Sequence, residues 1–372
     1  MTKFELAIST GYVPDWTIVE AFRELFQNAL DNEIVNPENK MSWNYSNNEV
    51  SIKNKTSKLP VESLLLGSST KSDDKNTIGK HGEGYKIAFM VLLRNSKTIK
   101  VYNYGAKEVW DVRLVKSRRY NNQLVPTVFV EKNHIWDKVP NSDLEIVVSG
   151  ITEEEYESIV NKNLHLRKTP VKKFVTKDRG DIILDPEESG NVYVKGLFVT
   201  KIEGLYFGYD FEPSVLGLDR DRKLVDSFNV SWEASILWQN AADKDEGLAN
   251  TAVNLVNEKA LDVRYVDKIS YNPLKLRNAV ARNFFETHGE NAVPVVNTSE
   301  YEEVKECNLG KPVITTESIA SLIKGSSVVN EKPTVKMKSV KEKLEDFIAK
   351  IEDRLTDDEL TEISELIKKV NN

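Results

Sequence analysis

Residues 23–31 read Arg23-Glu24-Leu25-Phe26-Gln27-Asn28-Ala29-Leu30-Asp31, and this segment carries the strongest structural signal in the chain. Its polar residues Glu24, Asn28 and Asp31 recur at i, i+4 and i+7, a spacing that aligns three side chains along one side of a helix. Apolar residues at helical spacing surround them, so the segment predicts a helix over 15–33 with Asp15 as its N-cap. A purely structural helix gains nothing from a polar stripe beside its apolar face, so the stripe indicates a binding or catalytic site.

A second segment reads Gly79-Lys80-His81-Gly82-Glu83-Gly84-Tyr85-Lys86 and opens a helix predicted over 85–94. Glycines let a backbone approach a ligand closely, and the N–H groups at a helix N-terminus attract an anion. Lys71, Lys80 and Lys86 add positive charge nearby. The segment is not a Walker P-loop, because GxxxxGK[ST] is absent, and no strand precedes it as in a Rossmann fingerprint. It predicts a site for a phosphate-bearing ligand, although Lys86 taken singly is equally a surface lysine.

Strands are predicted around these two segments. Residues 49–54 alternate between polar and apolar types, and four further strand candidates follow the glycine segment at 98–104, 108–114, 125–131 and 144–148. Residues 61–67 predict a short helix, and 68–84 a polar loop. This order of elements indicates an α+β fold, with helices on one face of a mixed, mostly antiparallel sheet.

The rest of the chain divides into smaller predicted segments. A helix is expected over 151–163, followed by a strand–glycine–strand arrangement over 191–199 and a strand over 206–211. Helices are expected over 231–239 and 248–257. Residues 291–325 predict a β-α-β-α unit, and residues 339–372 predict two amphipathic helices that break near Thr356. The predicted domains are 1–150, 151–265, 266–330 and 331–372, the last being a linker and a helical tail.

The two segments, with Asn54 at the end of a predicted strand between them, resemble the Bergerat ATP-binding fold. That superfamily includes DNA gyrase B subunits, heat-shock chaperone ATPases, mismatch-repair ATPases and sensor histidine kinases. The resemblance covers roughly residues 10–150 and implies an ATP-binding α/β sandwich followed by a transducer-like α/β domain. Together with Leu64-Leu65-Leu66-Gly67-Ser68-Ser69-Thr70-Lys71, the glycine segment is most similar to phage rapid-lysis A proteins, which implies a phage origin.

The resemblance implies a role for each matching residue. Glu24 is expected to act as the catalytic base and Asn28 to hold Mg²⁺, while Asp31 and Asn54 are expected to bind the nucleotide. The remaining nucleotide-binding residues are expected on a lid and on the glycine segment: Ser69, Thr70, Lys71, Gly79, Lys80, His81, Gly82, Glu83, Gly84, Tyr85 and Lys86. In a second domain, Arg220, Arg222 or Lys223 is a candidate to reach the γ-phosphate.

The sequence departs from this family at the box that reads adenine. The usual Asp-x-Gly-x-Gly is replaced by Asn54-Lys55-Thr56-Ser57-Lys58-Leu59-Pro60. Asn54 can still accept a hydrogen bond from the adenine amino group through its side-chain oxygen, but it is not an anion. We therefore expect nucleotide binding with altered affinity or base selectivity.

Composition excludes several other classes of protein. The 372 residues carry 51 Lys and Arg against 58 Asp and Glu, a net charge of −7, which argues against a nucleic-acid coat. One cysteine, Cys307, excludes an internal disulfide framework, and four histidines make a His-rich metal centre improbable. The sequence has no run of about 18 apolar residues and no signal-peptide core at its start, so a cytoplasmic protein is expected.

Two functions follow from these observations. The first is a Mg²⁺-dependent ATPase with slow turnover, whose nucleotide state gates conformation or a homodimer and acts on an unknown protein partner. The second is a nucleotide-binding regulatory protein without turnover, which the altered box at Asn54 favours. The net charge opposes a DNA-handling role for the basic stretch 167–179. Such a stretch is usually a solvated loop, and its alternative interpretations are contact with an anionic partner or a lysine that reaches the nucleotide from a second domain.

Overall fold

The computed structural model describes residues 1–64, 84–138, 141–176, 178–216, 226–269, 274–330, 340–351 and 354–368. The chain divides into two compact units, Met1–Asn272 and Pro273–Asn372. The fold is α+β, with a large antiparallel sheet and helices in the first unit. The finer division at residues 150, 265 and 330 stays a prediction.

The first unit contains a seven-stranded sheet in the order β1-β6-β5-β4-β7-β3-β2. Its strands are β1 Thr2–Glu5, β2 Met41–Ser46, β3 Glu49–Asn54, β4 Thr98–Asn103, β5 Glu108–Ser117, β6 Gln123–Lys132 and β7 Leu144–Ser149. The five predicted strands are confirmed, and the edge strands β1 and β2 were not predicted. Every pairing described in this sheet is antiparallel, so the mixed sheet that we expected here is wrong.

One face of this sheet is buried, and its residues lie in rows across the strands. Paired residues of antiparallel strands point to the same face. Ile52, Ile146, Val101 and Trp110 form one apolar row, and each is at most 4% exposed. The neighbouring row is partly polar and also buried, and it consists of Asn54, Leu144, Asn103 and Glu108. The buried face therefore ends in polar side chains where β3 ends.

Two helices pack against each other and against this sheet: α1, Ile18–Val35, and α2, Gly84–Arg94. Helix α1 begins at Ile18, about one helical turn after the predicted start at residue 15, because its N-cap is Thr17 and not Asp15. The Thr17 side chain accepts a hydrogen bond from the Val19 N–H, and the Glu20 carboxylate accepts one from the Thr17 N–H at 2.7 Å. This capping box needs a glutamate three residues after the cap, which Thr17 has and Asp15 lacks.

Arg94, the last residue of α2, fixes the segment that leads into α1. Its guanidinium donates hydrogen bonds of 2.7–3.2 Å to four backbone carbonyls, those of Thr10, Tyr12, Val13 and Trp16. A planar guanidinium suits this role because its donors spread in a fixed fork. The end of α2 and the start of α1 are therefore joined directly.

A second sheet in the first unit has the order β11-β10-β12-β9-β8. Its strands are β8 Lys173–Val175, β9 Gly180–Ile183, β10 Asn191–Val194, β11 Leu197–Lys201 and β12 Gly208–Phe211. The strand–glycine–strand arrangement predicted over 191–199 is confirmed, because Lys195 (φ 50°) and Gly196 (φ 75°) turn the chain between β10 and β11. Helix α3, Glu153–Asn161, precedes this sheet, and helices α4, Ser227–Lys244, and α5, Glu246–Asn257, follow it.

The second unit contains the predicted β-α-β-α arrangement. Helix α6, Leu274–His288, precedes it and was not predicted. The confirmed elements are β13 Ala292–Val295, α7 Thr298–Glu306, β14 Lys311–Ile314 and α8 Glu317–Lys324, with β13 and β14 parallel. Helices α9 Ser327–Asn330, α10 Val340–Ile351 and α11 Asp357–Lys368 follow, the last two as predicted. Within the described ranges, no helix has the length and apolar character needed to cross a membrane.

Candidate functional site

Helix α1 carries the predicted polar stripe into the protein interior. Glu24 is 3% exposed and Asp31 is fully buried, while Asn28 between them is half-buried. The Asn28 side-chain Nδ2 donates a hydrogen bond of 2.8 Å to the backbone carbonyl of Glu24. This bond uses the nitrogen of the amide and turns its Oδ1 away from the helix backbone. The stripe therefore presents a carboxylate and an amide oxygen one turn apart.

The first residue of α2 lies against this stripe. A Cβ atom at Gly84 would be 2.8 Å from Asn28 Nδ2 and 2.9 Å from Glu24 Oε2, both closer than ordinary contact. Only glycine permits this approach without moving the two side chains. The structure thus brings together Glu24, Asn28 and Gly84, which the sequence placed in two separate segments. The positive end of the α2 dipole begins beside them.

The next two residues of α2 also belong to this region. Burial raises the pKa of the Tyr85 hydroxyl, and the negative charge of Asp31 raises it further, so the two side chains are electrostatic neighbours. Lys86 is fully buried, and the interpretation of it as a surface lysine is wrong. A lysine is almost never fully buried unless its ammonium group is paired. Helices α1 and α2 therefore meet through polar as well as apolar groups.

Asn54 connects the end of β3 to α1. It is 3% exposed, and its Nδ2 donates hydrogen bonds to the backbone carbonyls of Ala29 at 2.9 Å and Asn39 at 2.8 Å. Both amide hydrogens are used, so the remaining function of the side chain is the acceptor Oδ1. The network continues through Asn32, whose Nδ2 donates to the buried Ser57 hydroxyl. These bonds fix the orientation of the Asn54 amide, that is, which way its nitrogen and its oxygen point.

Two residues beside Glu24 were missed by the sequence analysis. Arg23 has a guanidinium nitrogen 3.5 Å from Glu24 Oε1, and its guanidinium lies 5.2 Å from the centre of the Trp16 ring. Gln27 is 1% exposed on the turn that follows. The signal for Gln27 was its position three residues after Glu24, which places it on the polar side of the helix.

Other predicted site residues cannot be placed in this way. Ser69, Thr70, Lys71, Gly79, Lys80, His81, Gly82 and Glu83 lie outside the described residues, as do Arg220, Arg222 and Lys223.

In the basic stretch 167–179, several cations face acidic partners of the same unit. Arg167 pairs with Glu188 at 2.7 Å, and Lys173 pairs with Asp210 at 2.6 Å. Much of that positive charge is therefore neutralised internally.

The comparisons with known proteins leave the family open. No family model matches this chain. An uncharacterized protein of Mycoplasma pneumoniae (strain ATCC 29342 / M129) is 26% identical over 220 residues, which are 57% of this chain and 86% of that protein. Among solved structures, the ATPase region of Saccharomyces cerevisiae topoisomerase II is similar with a TM-score of 0.35 and 11% identity, over 49% of this chain and 62% of that structure. That similarity of fold is distant, and the similarity to phage proteins stays a prediction.

Proposed function

We propose that the first unit binds Mg²⁺-ATP between α1, the end of β3 and the N-terminus of α2, and hydrolyses it slowly. The observation that supports this best is the approach of Gly84 to both Glu24 and Asn28. It puts a buried carboxylate, a side-chain amide and a helix N-terminus in one place. A helix N-terminus binds phosphate through its backbone N–H groups and its dipole, so the phosphates would lie at the start of α2.

Asn28 fits the role of a magnesium ligand. Its Nδ2 is bonded to the Glu24 carbonyl, so its Oδ1 is the atom that can face a metal ion. Magnesium is commonly held by one or two protein oxygens, with waters and phosphate oxygens completing the shell. The described residues contain no group of three or more His, Cys, Asp or Glu side chains that could hold a metal, and such a site needs none. Bound magnesium would neutralise charge that develops on the phosphates.

Glu24 is the proposed base. Phosphoryl transfer depends mainly on positioning and charge neutralisation, with one group that orients the attacking water. Glu24 is buried, and its Oε2 would lie 2.9 Å from a Cβ at Gly84, so the carboxylate faces the start of α2, where the phosphates are proposed to bind. A carboxylate in that position can accept a water proton as the bond to phosphorus forms.

Asn54 supports a preference for adenine over guanine. Its two amide hydrogens are held by the Ala29 and Asn39 carbonyls, which leaves Oδ1 as a fixed acceptor. The 6-amino group of adenine donates a hydrogen bond, whereas guanine presents a carbonyl oxygen at the same position. Two facing acceptors are unfavourable, so we expect ATP to bind more tightly than GTP.

Calorimetry of Mg²⁺-ATP and Mg²⁺-GTP, followed by phosphate release from the same sample, tests this function. We expect ATP binding with slow release of phosphate, and loss of release with retained binding in Glu24→Gln. The exposed Glu38→Gln is the matched control, because it makes the same chemical change on the surface. Full turnover in Glu24→Gln would contradict the assignment of the base.

The alternative is a nucleotide-binding regulator without turnover, which the altered box at Asn54 favours. It predicts ATP binding with no phosphate release from the wild-type protein. In either case we propose that the bound nucleotide changes the conformation or self-association of the chain. Absence of binding to both nucleotides would reject both functions.

A further inference from the structure

Gln27 is a buried polar residue on α1 that has no role in the reaction proposed above. It lies on α1 three residues after Glu24 and four before Asp31, so the three side chains share one side of the helix. The residue is 1% exposed. Its Oε1 is buried and accepts a hydrogen bond from none of the residues that the structure describes.

Arg23 completes this arrangement on the preceding turn. One of its guanidinium nitrogens is 3.5 Å from Glu24 Oε1, and its buried Nε–H has no acceptor within the described parts of the chain. The guanidinium is held in place over the Trp16 ring. An unmatched acceptor and a cation therefore flank the carboxylate of Glu24 on the same helix.

A buried amide oxygen without a hydrogen-bond donor destabilises a protein, because that oxygen loses water and gains no bond in return. A methionine or leucine would suit a buried helix position better. Unsatisfied polar groups that persist in folded proteins call for an explanation, and functional sites are where they are expected. The position of Gln27 beside Glu24 suggests that its partner arrives with the substrate.

We propose that Gln27 is a second catalytic residue, whose Oε1 accepts a hydrogen bond from the water that attacks ATP. This inference rests on the function proposed above. Glu24 and Gln27 then accept the two O–H groups of that water, which directs an oxygen lone pair at the γ-phosphorus. The water oxygen bonds to the γ-phosphorus, and the bond from that phosphorus to the β–γ bridging oxygen breaks. ADP leaves with the electron pair, and Glu24 takes the proton.

Arg23 is a positioning residue in this arrangement. Its contact with Glu24 Oε1 restricts how the carboxylate can turn. Two acceptors orient water only when both are held still, since catalysis depends on the distance and angle of attack.

The test compares Gln27→Met with wild type in three measurements: kcat for phosphate release, Kd for Mg²⁺-ATP and thermal stability. We expect kcat to fall about tenfold or more, as for the loss of one hydrogen bond made in the transition state. Kd should stay within about twofold, and the melting temperature should stay equal or rise, because an unsatisfied polar group has been removed. Gln27→Glu keeps an acceptor oxygen and should retain more turnover than Gln27→Met.

Gln239 provides a matched control on α4. It is also 1% exposed with a buried Oε1 that lacks a partner, but its Nε2 donates a hydrogen bond of 2.7 Å to the Val266 carbonyl. Gln239→Met should therefore lower the melting temperature and leave kcat unchanged. The two variants make the same chemical change. Gln27→Met should lower kcat without lowering the melting temperature, whereas Gln239→Met should lower the melting temperature without lowering kcat.

Two results would overturn the inference. A lower melting temperature with unchanged kcat in Gln27→Met would show that Gln27 is structural, for example through a hydrogen bond to Arg23. A wild-type protein that does not hydrolyse ATP would overturn both this inference and the proposed turnover. Unchanged kcat in Gln27→Met beside an active wild type rejects the role of Gln27 alone.

Discussion

At Gly84 the lack of a side chain lets the first turn of α2 touch α1. Among the described residues outside the first turns of α2, the atoms nearest to a Cβ at this position are the ends of the Glu24 and Asn28 side chains, and no backbone atom of those residues lies as close. An alanine at this position would therefore move those two groups and leave the helices in place. Glu24, Asn28 and Gly84 were predicted as site residues from the sequence, and the fold places the three close together.

We expect Gly84→Ala to weaken binding of Mg²⁺-ATP about tenfold or more, because it displaces the proposed magnesium ligand and the base. Stability should not fall, since alanine favours a helix more than glycine does. Calorimetry and thermal unfolding measure the two effects. The control is Gly11→Ala, whose new Cβ would meet only the Ser9 hydroxyl at an ordinary 3.7 Å. Equal ATP affinity in both variants would contradict the placement of the site.

The role of Asn54 was only half predictable. The family resemblance implied that Asn54 contacts the base, which stays a prediction, but the sequence did not show what holds its amide. In the fold it donates to the Ala29 and Asn39 carbonyls, which are 25 and 15 residues away. An aspartate has no hydrogen for either carbonyl, so an asparagine is required here for structural reasons. Such a requirement depends on tertiary contacts and is invisible in one sequence.

In the seven-stranded sheet, the strands with a complete hydrophobic pattern were predicted and the two edge strands were not. Strands β3, β4 and β7 alternate clearly because one face is buried beneath the helices. Strand β2 is mostly exposed, so its pattern carries no such signal. Helix α6 is different, because buried Leu276, Val280 and Phe284 recur at helical spacing and the signal was present.

The turn between β9 and β10 is held by a buried ionic network. The Glu188 carboxylate accepts hydrogen bonds from Arg167 at 2.7 Å, Asn191 at 3.0 Å and the Tyr193 hydroxyl at 2.5 Å. Burial raises the pKa of Glu188, but the bonds from Tyr193, Arg167 and Asn191 together lower it below its usual value near 4.5. Ionised Glu188 thus stabilises the fold above about pH 4.5, and this contribution is lost as the pH falls through the folded-state pKa.

We expect Glu188→Gln to lower the free energy of unfolding by about 3 kcal/mol at neutral pH, because Arg167 loses its buried partner. The difference from wild type should begin to shrink below about pH 4.5, where the carboxylate of the unfolded chain is protonated, and should be lost as the pH falls through the lowered pKa of Glu188 in the folded state. Denaturant unfolding across the pH range measures this. The neighbouring Glu187 is exposed, and Glu187→Gln should change stability by less than about 0.5 kcal/mol. A pH-independent difference would contradict the ionic account.

On the scale of the whole molecule, the chain has two units with separate cores. The core of the second unit includes Leu276, Ala281, Val295 and Leu322, all at most 1% exposed. Every described residue of the candidate site belongs to the first unit, Met1–Asn272. The sequence predicted most elements of the second unit and missed α6. Where the units divide depends on which elements share a core, which one sequence does not show.

We expect a protein of residues 1–269 to bind Mg²⁺-ATP within about threefold of the full chain, because the proposed site lies within one compact unit. It should also unfold cooperatively, since both of its sheets have buried cores. Calorimetry and thermal unfolding of the two proteins make the comparison. A separate measurement, light scattering with and without ATP, compares the self-association of the full chain with that of the fragment. A tenfold loss of affinity in the folded fragment, about 1.4 kcal/mol, would show that the second unit contributes to the site.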